Sequence, residues 1–127
     1  MKKPITMSVA KYRQSLTEHD LQAMVLDHIR LNARRDVFAF AIPNAAKRSP
    51  WQAARMKREG LLAGVADVCV MMNNGRTGWL EFKTVKGKQS LAQKVFEGWC
   101  IALAHPYELC RDLQDAIDVL TRWGALK

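Results

Sequence analysis

Glu81 and Lys83 flank Phe82, and Asp67 stands upstream of them, at the end of Gly64-Val65-Ala66-Asp67. Residues two apart on a strand point to the same side, so Glu81 and Lys83 share a face in an extended segment. A turn between Asp67 and Glu81 brings a second carboxylate beside the first. Two carboxylates and an ammonium at one point suit a divalent cation and an activated water, the chemistry of phosphodiester hydrolysis. Mg²⁺ prefers hard oxygen ligands, retains several waters and commonly takes one or two carboxylates plus substrate phosphate. Asp67 and Glu81 are candidates for those carboxylates. Lys83 is a candidate to hold the attacking water or to offset charge developing on the phosphate.

A plainer reading stands beside this one. Leu80 and Phe82 form an apolar face, leaving Glu81 and Lys83 as a weak ion pair on the exposed side of a surface strand. Gly64 then answers to a turn and Asp67 to a strand cap. Against it, helical segments lie on both sides of this strand in the sequence, which favours a central position. A Glu and a Lys on a strand covered on both faces need a reason to be there.

The surrounding elements are readable from period and punctuation. Thr17 is a helix N-cap with Glu18 and Asp20 in the first turn, and Leu21, Met24, Val25, His28 and Ile29 recur at helical spacing to about residue 33. Val37 to Ile42 reads as a strand closed by Pro43-Asn44. Ser49-Pro50 opens a helix that carries Arg55, Lys57 and Arg58 and stops at Gly60. Asp67 to Met72 and Gly78 to Val85 form a hairpin about Asn73-Asn74-Gly75. Ser90 and Gln93 make a capping box for an apolar helix ending before Pro106. Tyr107 to Cys110 is a short strand, and a last helix runs from about Asp112 with Ala116, Ile117, Leu120 and Trp123 on one face. The order α-β-α-β-β-α-β-α predicts an α/β fold, a mixed central sheet flanked by helices on both faces. Residues 1–15, with Lys2, Lys3, Lys11 and Arg13, read as a basic N-terminal arm, and 16–127 as a single domain.

The 127 residues include 20 Lys and Arg against 12 Asp and Glu, a net charge of +8. A small domain this basic suits a polyanionic partner. Cys69, Cys100 and Cys110 fit no zinc spacing and have apolar neighbours, as buried free thiols in a reducing cytosol do. No apolar run approaches the roughly 20 residues of a membrane span, and no signal-peptide core follows Met1-Lys2-Lys3-Pro4. These features point to a soluble, cytoplasmic protein. His19, His28 and His105 form no zinc pattern. Trp51, Trp79, Trp99 and Trp123 are dispersed, as packing residues are, though Trp51 adjoins a basic helix.

Asp67-(x13)-Glu81-x-Lys83 resembles the motif of the PD-(D/E)XK nuclease superfamily, with its restriction-endonuclease-like core. More closely, the chain resembles a stand-alone VRR-NUC domain, the virus-type replication-repair nuclease family. The likeness is carried by Thr17-Glu18, Ile42-Pro43-Asn44, Gly60, Gly64 to Asp67, Trp79 to Lys83 and Gly87 to Gln93, in that order, over about residues 17–123. It departs at Ala66, where the family usually has Pro, and at Gln89 and Ala92, where Leu and Pro are more usual.

The resemblance implies a deoxyribonuclease using Mg²⁺ or Mn²⁺ and no organic cofactor. Asp67, Glu81 and the Phe82 carbonyl would ligate the metal, and Lys83 would be the catalytic lysine. Glu18 matches a carboxylate that faces the site and Gln93 a polar residue after the strand, although both also read as helix-cap residues. Lys86 and Lys88, beside the site, and Lys47, Arg48, Arg55 and Arg58 are candidates for phosphate contacts, or solvated surface. The family further implies a homodimer cutting branched DNA such as four-way junctions, in a bacterial or phage-infected cell. The alternatives are a general or restriction-type endonuclease, or a non-catalytic DNA-binding module working with a partner. The helices at 90–105 and 112–123 are candidates for a dimer interface.

Overall fold

The computed structural model describes Ser8, Lys11, residues 15–43 and residues 48–127. Apart from Ser8, Lys11 and Ser15, the expected basic arm lies outside the described residues, as do Asn44 and Lys47. The elements are α1 (Glu18–Asn32), β1 (Phe38–Ala41), α2 (Pro50–Arg58), β2 (Val68–Met71), β3 (Thr77–Phe82), α3 (Leu91–Ala102), β4 (Tyr107–Cys110) and α4 (Leu113–Arg122). This is the expected order, with boundaries moved by a few residues. The second hairpin strand ends at Phe82 rather than Val85, and the helix expected over 90–105 ends at Ala102.

The strands form one sheet in the order β1-β2-β3-β4. The first two pairings are antiparallel and β3–β4 is parallel, so the sheet is mixed. The hairpin turns at Asn74 and Gly75, both at positive φ, the pair of conformations a tight hairpin requires. The parallel pairing needs a crossover, and α3 supplies it.

Side-chain alternation divides the sheet into two faces. Val68, Val70, Leu80 and Phe82 point to one, where they pack with Leu21, Val25, Leu26 and Ile29 of α1 and Ala116, Val119 and Leu120 of α4. Gly78 lies on the same face because the Trp123 ring occupies the space a Cβ would fill. The opposite face meets α3 through an aromatic contact, Trp79 edge-on to Phe96 at 5.2 Å between centroids, with Phe96 6.1 Å from Tyr107. Helices thus cover both faces.

Two of the four tryptophans depart from the packing role expected of them. Trp79 and Trp123 pack inward, but Trp51 and Trp99 are 68% and 61% exposed. Trp51 belongs to α2, which buries none of its residues, and Trp99 to α3, which buries only Cys100. An apolar residue on a helix reports an apolar stripe, and the stripe alone does not say whether the chain itself covers it. The three cysteines are buried and free, as expected.

Candidate active site

Asp67 sits one residue before β2, outside the strand in which the sequence placed it. Val68 pairs with Leu80, so Asp67 arrives level with the end of β3. There its Oδ2 accepts a hydrogen bond from the Phe82 amide at 2.8 Å. Its carbonyl accepts from the Ile42 amide at 2.8 Å, tying the loop to the end of β1. Gly64 sets the approach from the other side. Its φ is +86°, and a Cβ there would run into the backbone of Ala92 and Gln93. The Asp67 loop and the start of α3 therefore close on one another across a residue that must lack a side chain.

Glu81 is 1% exposed and Lys83 8%, the buried charged residues among those described. Leu80 and Phe82 point to the apolar core, so alternation turns Glu81 toward α3. The Lys83 amide donates to the Cys110 carbonyl and extends the β3–β4 ladder by one residue. Its Nζ lies 3.7 Å from Glu81 Oε1 and 3.8 Å from Glu18 Oε1. Glu18 begins α1 behind the Thr17 N-cap, whose hydroxyl accepts from the Asp20 amide. Its placement at the helix start and its contact with Lys83 are both real.

Gln93 likewise does two things. Its Oε1 accepts from the Ser90 amide at 2.8 Å and its own amide donates to Ser90 Oγ at 3.2 Å, completing the expected capping box. Its Nε2 donates to Glu81 Oε1 at 2.9 Å. The cap locks the rotamer that presents the donor, so helix initiation and placement of the carboxylate depend on one side chain.

Glu81 Oε1 is thereby satisfied. Oε2 is buried and receives no N–H or O–H donor among the described residues. Burial, followed by the negative charge of Asp67, pushes the Glu81 carboxyl up to about 8, with Lys83 pulling in the opposite direction. The two carboxyls are close enough for a proton shared between them to favour the neutral form. A buried acceptor with no donor is expensive to leave, and crowded carboxyls are stable together when a proton or a cation sits between them. The donor set here is hard oxygen, so Asp67 and Glu81 fit a divalent ion such as Mg²⁺ or Mn²⁺. Phe82 joins them through its amide hydrogen bond to Asp67, while its ring is fully buried in the core.

Lys86 and Lys88 are exposed on the loop after Lys83. Arg48, Arg55 and Arg58 belong to the separate region around α2, where Arg55 pairs with Glu59 at 3.3 Å. The expected site residues thus gather as buried Glu81 and Lys83, half-buried Asp67 and Gln93 and exposed Glu18, with Lys86, Lys88, Arg48, Arg55 and Arg58 outside the group.

Arg111 escaped the sequence reading. Its Nη1 donates to the carbonyls of Thr84 at 2.6 Å, Gly87 at 2.8 Å and Val85 at 3.3 Å. One guanidinium therefore shapes the loop that leaves Lys83 and presents Lys86 and Lys88. Its position directly after β4, itself paired with the strand bearing Glu81, was the available clue. Tyr107 was missed too. Its hydroxyl accepts from Gln89 Nε2 at 3.1 Å, and burial, then the nearby Glu81 charge, raises its pKa.

No protein-family model matches this chain, and no curated protein does. Among solved structures, one described as a VRR_NUC domain protein superposes with a TM-score of 0.66 at 19% identity, covering 86% of this chain and 88% of the other. A match that spans nearly all of both chains at such low identity is a match of architecture. The chain has the VRR-NUC fold, a restriction-endonuclease-like α/β arrangement with a mixed four-stranded sheet between helices.

Proposed function

We propose that this protein is a metal-dependent deoxyribonuclease that cuts DNA phosphodiesters endonucleolytically at Asp67, Glu81 and Lys83. The observation that carries the reading is the buried Glu81 carboxylate, with Asp67 against it and Lys83 3.7 Å away, on a sheet of VRR-NUC architecture. Burying these charges against an apolar core is unfavourable, and a catalytic use accounts for keeping them there.

Asp67, Glu81 and the Phe82 carbonyl would hold the Mg²⁺ or Mn²⁺ ion. Such an ion, when bound, lowers the pKa of water and neutralises charge on a phosphoryl oxygen. The protein's own groups prepare the rest. Gln93 fixes Oε1 of Glu81 and leaves Oε2 available. The Phe82 amide holds Asp67 in place. Lys83, steadied by Glu18 and Glu81, orients the attacking water or receives negative charge on the phosphate. The water oxygen bonds to phosphorus as the ester P–O bond breaks, and the leaving oxygen takes up a proton. Lys86 and Lys88 flank the site to contact neighbouring phosphates, with Arg48, Arg55, Arg58 and Lys47 adding to the field of a chain of net charge +8.

The preferred substrate in this reading is branched DNA such as a four-way junction, cut by a homodimer. α3 supports the dimer, because Leu91, Val95 and Trp99 recur every four residues along it and all are exposed. α4 is committed to the core through Ala116, Val119 and Leu120. Among the described residues no helix is long and apolar enough to cross a membrane.

The test is incubation of purified protein with end-labelled four-way, flapped and linear DNA, in Mg²⁺, Mn²⁺ or chelator. Metal-dependent products that vanish in Lys83→Ala and Asp67→Ala are expected, with the junction cut fastest. Cleavage unchanged in those variants sinks the site. Binding with no cleavage under any metal favours a DNA-binding module.

A further inference from the structure

The α2 region carries chemistry that the cluster around Glu81 does not use. Trp51 is 68% exposed, and the Arg55 guanidinium carbon stands 5.4 Å from the centre of its ring. With Arg48, Gln52, Met56 and Glu59 they line an open cavity of about 350 Å³. An exposed cation–π pair is weak and leaves the indole in water, so it does not explain a tryptophan here.

The lining defines what fits. A flat indole calls for a flat apolar partner, and Arg48, Arg55, Lys57 and Arg58 against Glu59 call for an anion. A nucleobase with its phosphate meets both demands. In duplex DNA the bases are stacked on one another and offer only edges to the grooves, so an intact duplex cannot use the indole face. An unpaired base can.

Position agrees with a shared substrate. The Ile42 amide is hydrogen-bonded to the Asp67 carbonyl, and Arg48 lies only six positions beyond Ile42 along the chain. A chain of that length spans at most about 20 Å, or roughly six base steps at 3.4 Å each.

We propose that Trp51, with Arg48 and Arg55, is a stacking site for an unpaired base in a single-stranded stretch of DNA adjoining the duplex. The proposal rests on the nuclease reading only in naming the DNA to be cut. It adds to the branched DNA of that reading a second feature the protein can hold, an unpaired segment such as a flap, fork or overhang.

Binding without cleavage tests it. Fluorescence anisotropy in EDTA compares a blunt duplex with the same duplex bearing a single-stranded overhang. Wild type is expected to bind the overhang substrate more tightly. Trp51→Ala should weaken that binding by about 5- to 100-fold, as loss of one base–aromatic stack does, and change blunt-duplex binding by less than about twofold. Trp51→Phe should retain most of the preference. A 2-aminopurine in the overhang should be quenched by wild type and not by Trp51→Ala. The substituted side chain is exposed, so the melting temperature should stay at the wild-type value. Equal binding of both DNAs by wild type, equal weakening of both in Trp51→Ala, or no weakening overturns the proposal. Because no cleavage is measured, a protein without nuclease activity would still give a clear result.

Discussion

The two faces of the sheet use the same strands in opposite ways. Leu80 and Phe82 turn to α1 and α4 and disappear into a dry core with Val68, Val70, Val25 and Leu120. Glu81, between them, turns to the α3 side, where burial is just as complete but the partners are Gln93, Lys83 and Asp67. The first face draws its stability from apolar area and close packing. The second buries charge and leaves a carboxylate oxygen with no donor among the described residues, which opposes stability. One strand thus carries both the apolar core and the candidate site, and the alternation of its side chains keeps the two apart.

Substitutions on each face should separate the two roles. Lys83→Ala and Asp67→Ala should reduce cleavage roughly 10²–10⁴-fold, the range for loss of a catalytic acid, base or charge-stabilising group. Their melting temperatures should stay near wild type. Glu81→Gln should be equally inactive and melt at or above the wild-type temperature, since it removes the crowded negative charge. On the other face, Phe82→Ala should destabilise by about 3–5 kcal/mol, read by urea denaturation, with activity following the folded fraction. If Glu81→Gln unfolds the protein, or Phe82→Ala inactivates it while fully folded, the division fails.

Smaller effects sharpen the same comparison. Arg111→Ala removes a charged donor from three carbonyls, a loss of about 1.5–3 kcal/mol by the usual value of such bonds. It should appear mainly as a raised KM for DNA and a weaker salt dependence, because the loop bearing Lys86 and Lys88 loses its shape. An unaltered KM with only a lower melting temperature would assign Arg111 to the fold alone.

Glu81, pushed up to about 8, lies above its ordinary value of 4.5. A raised carboxyl supports the folded state fully below the ordinary value and loses that support as pH rises through about 8. Melting in chelator should therefore fall between pH 5 and 8.5, and Glu81→Gln should flatten the trend. An identical pH profile in Glu81→Gln would place the titration elsewhere.

Much of this was legible in the sequence because it depends on local rules. Period two placed Glu81 and Lys83 opposite Leu80 and Phe82, and the capping residues Thr17, Ser49 and Ser90 all start helices. The long-range part was not. A capping box is a spacing of three, whereas the bond from Gln93 to Glu81 crosses twelve residues and exists only once α3 lies on the sheet. Arg111 was invisible for a related reason: its partners are backbone carbonyls, which every residue possesses and no residue type advertises. Trp51 and Trp99 read as packing residues because apolarity alone does not reveal whether a surface finds its partner within the chain.

The central claim is that Asp67 and Glu81 together hold one divalent ion beside Lys83. Mn²⁺ titration followed by electron paramagnetic resonance and calorimetry tests it without requiring turnover. Saturable binding by wild type is predicted, tighter at pH 8 than at pH 6 because the ion replaces a proton, and weakened at least about tenfold in Asp67→Asn and Glu81→Gln. Equal Mn²⁺ affinity in wild type and both variants, or no saturable binding at all, would contradict it.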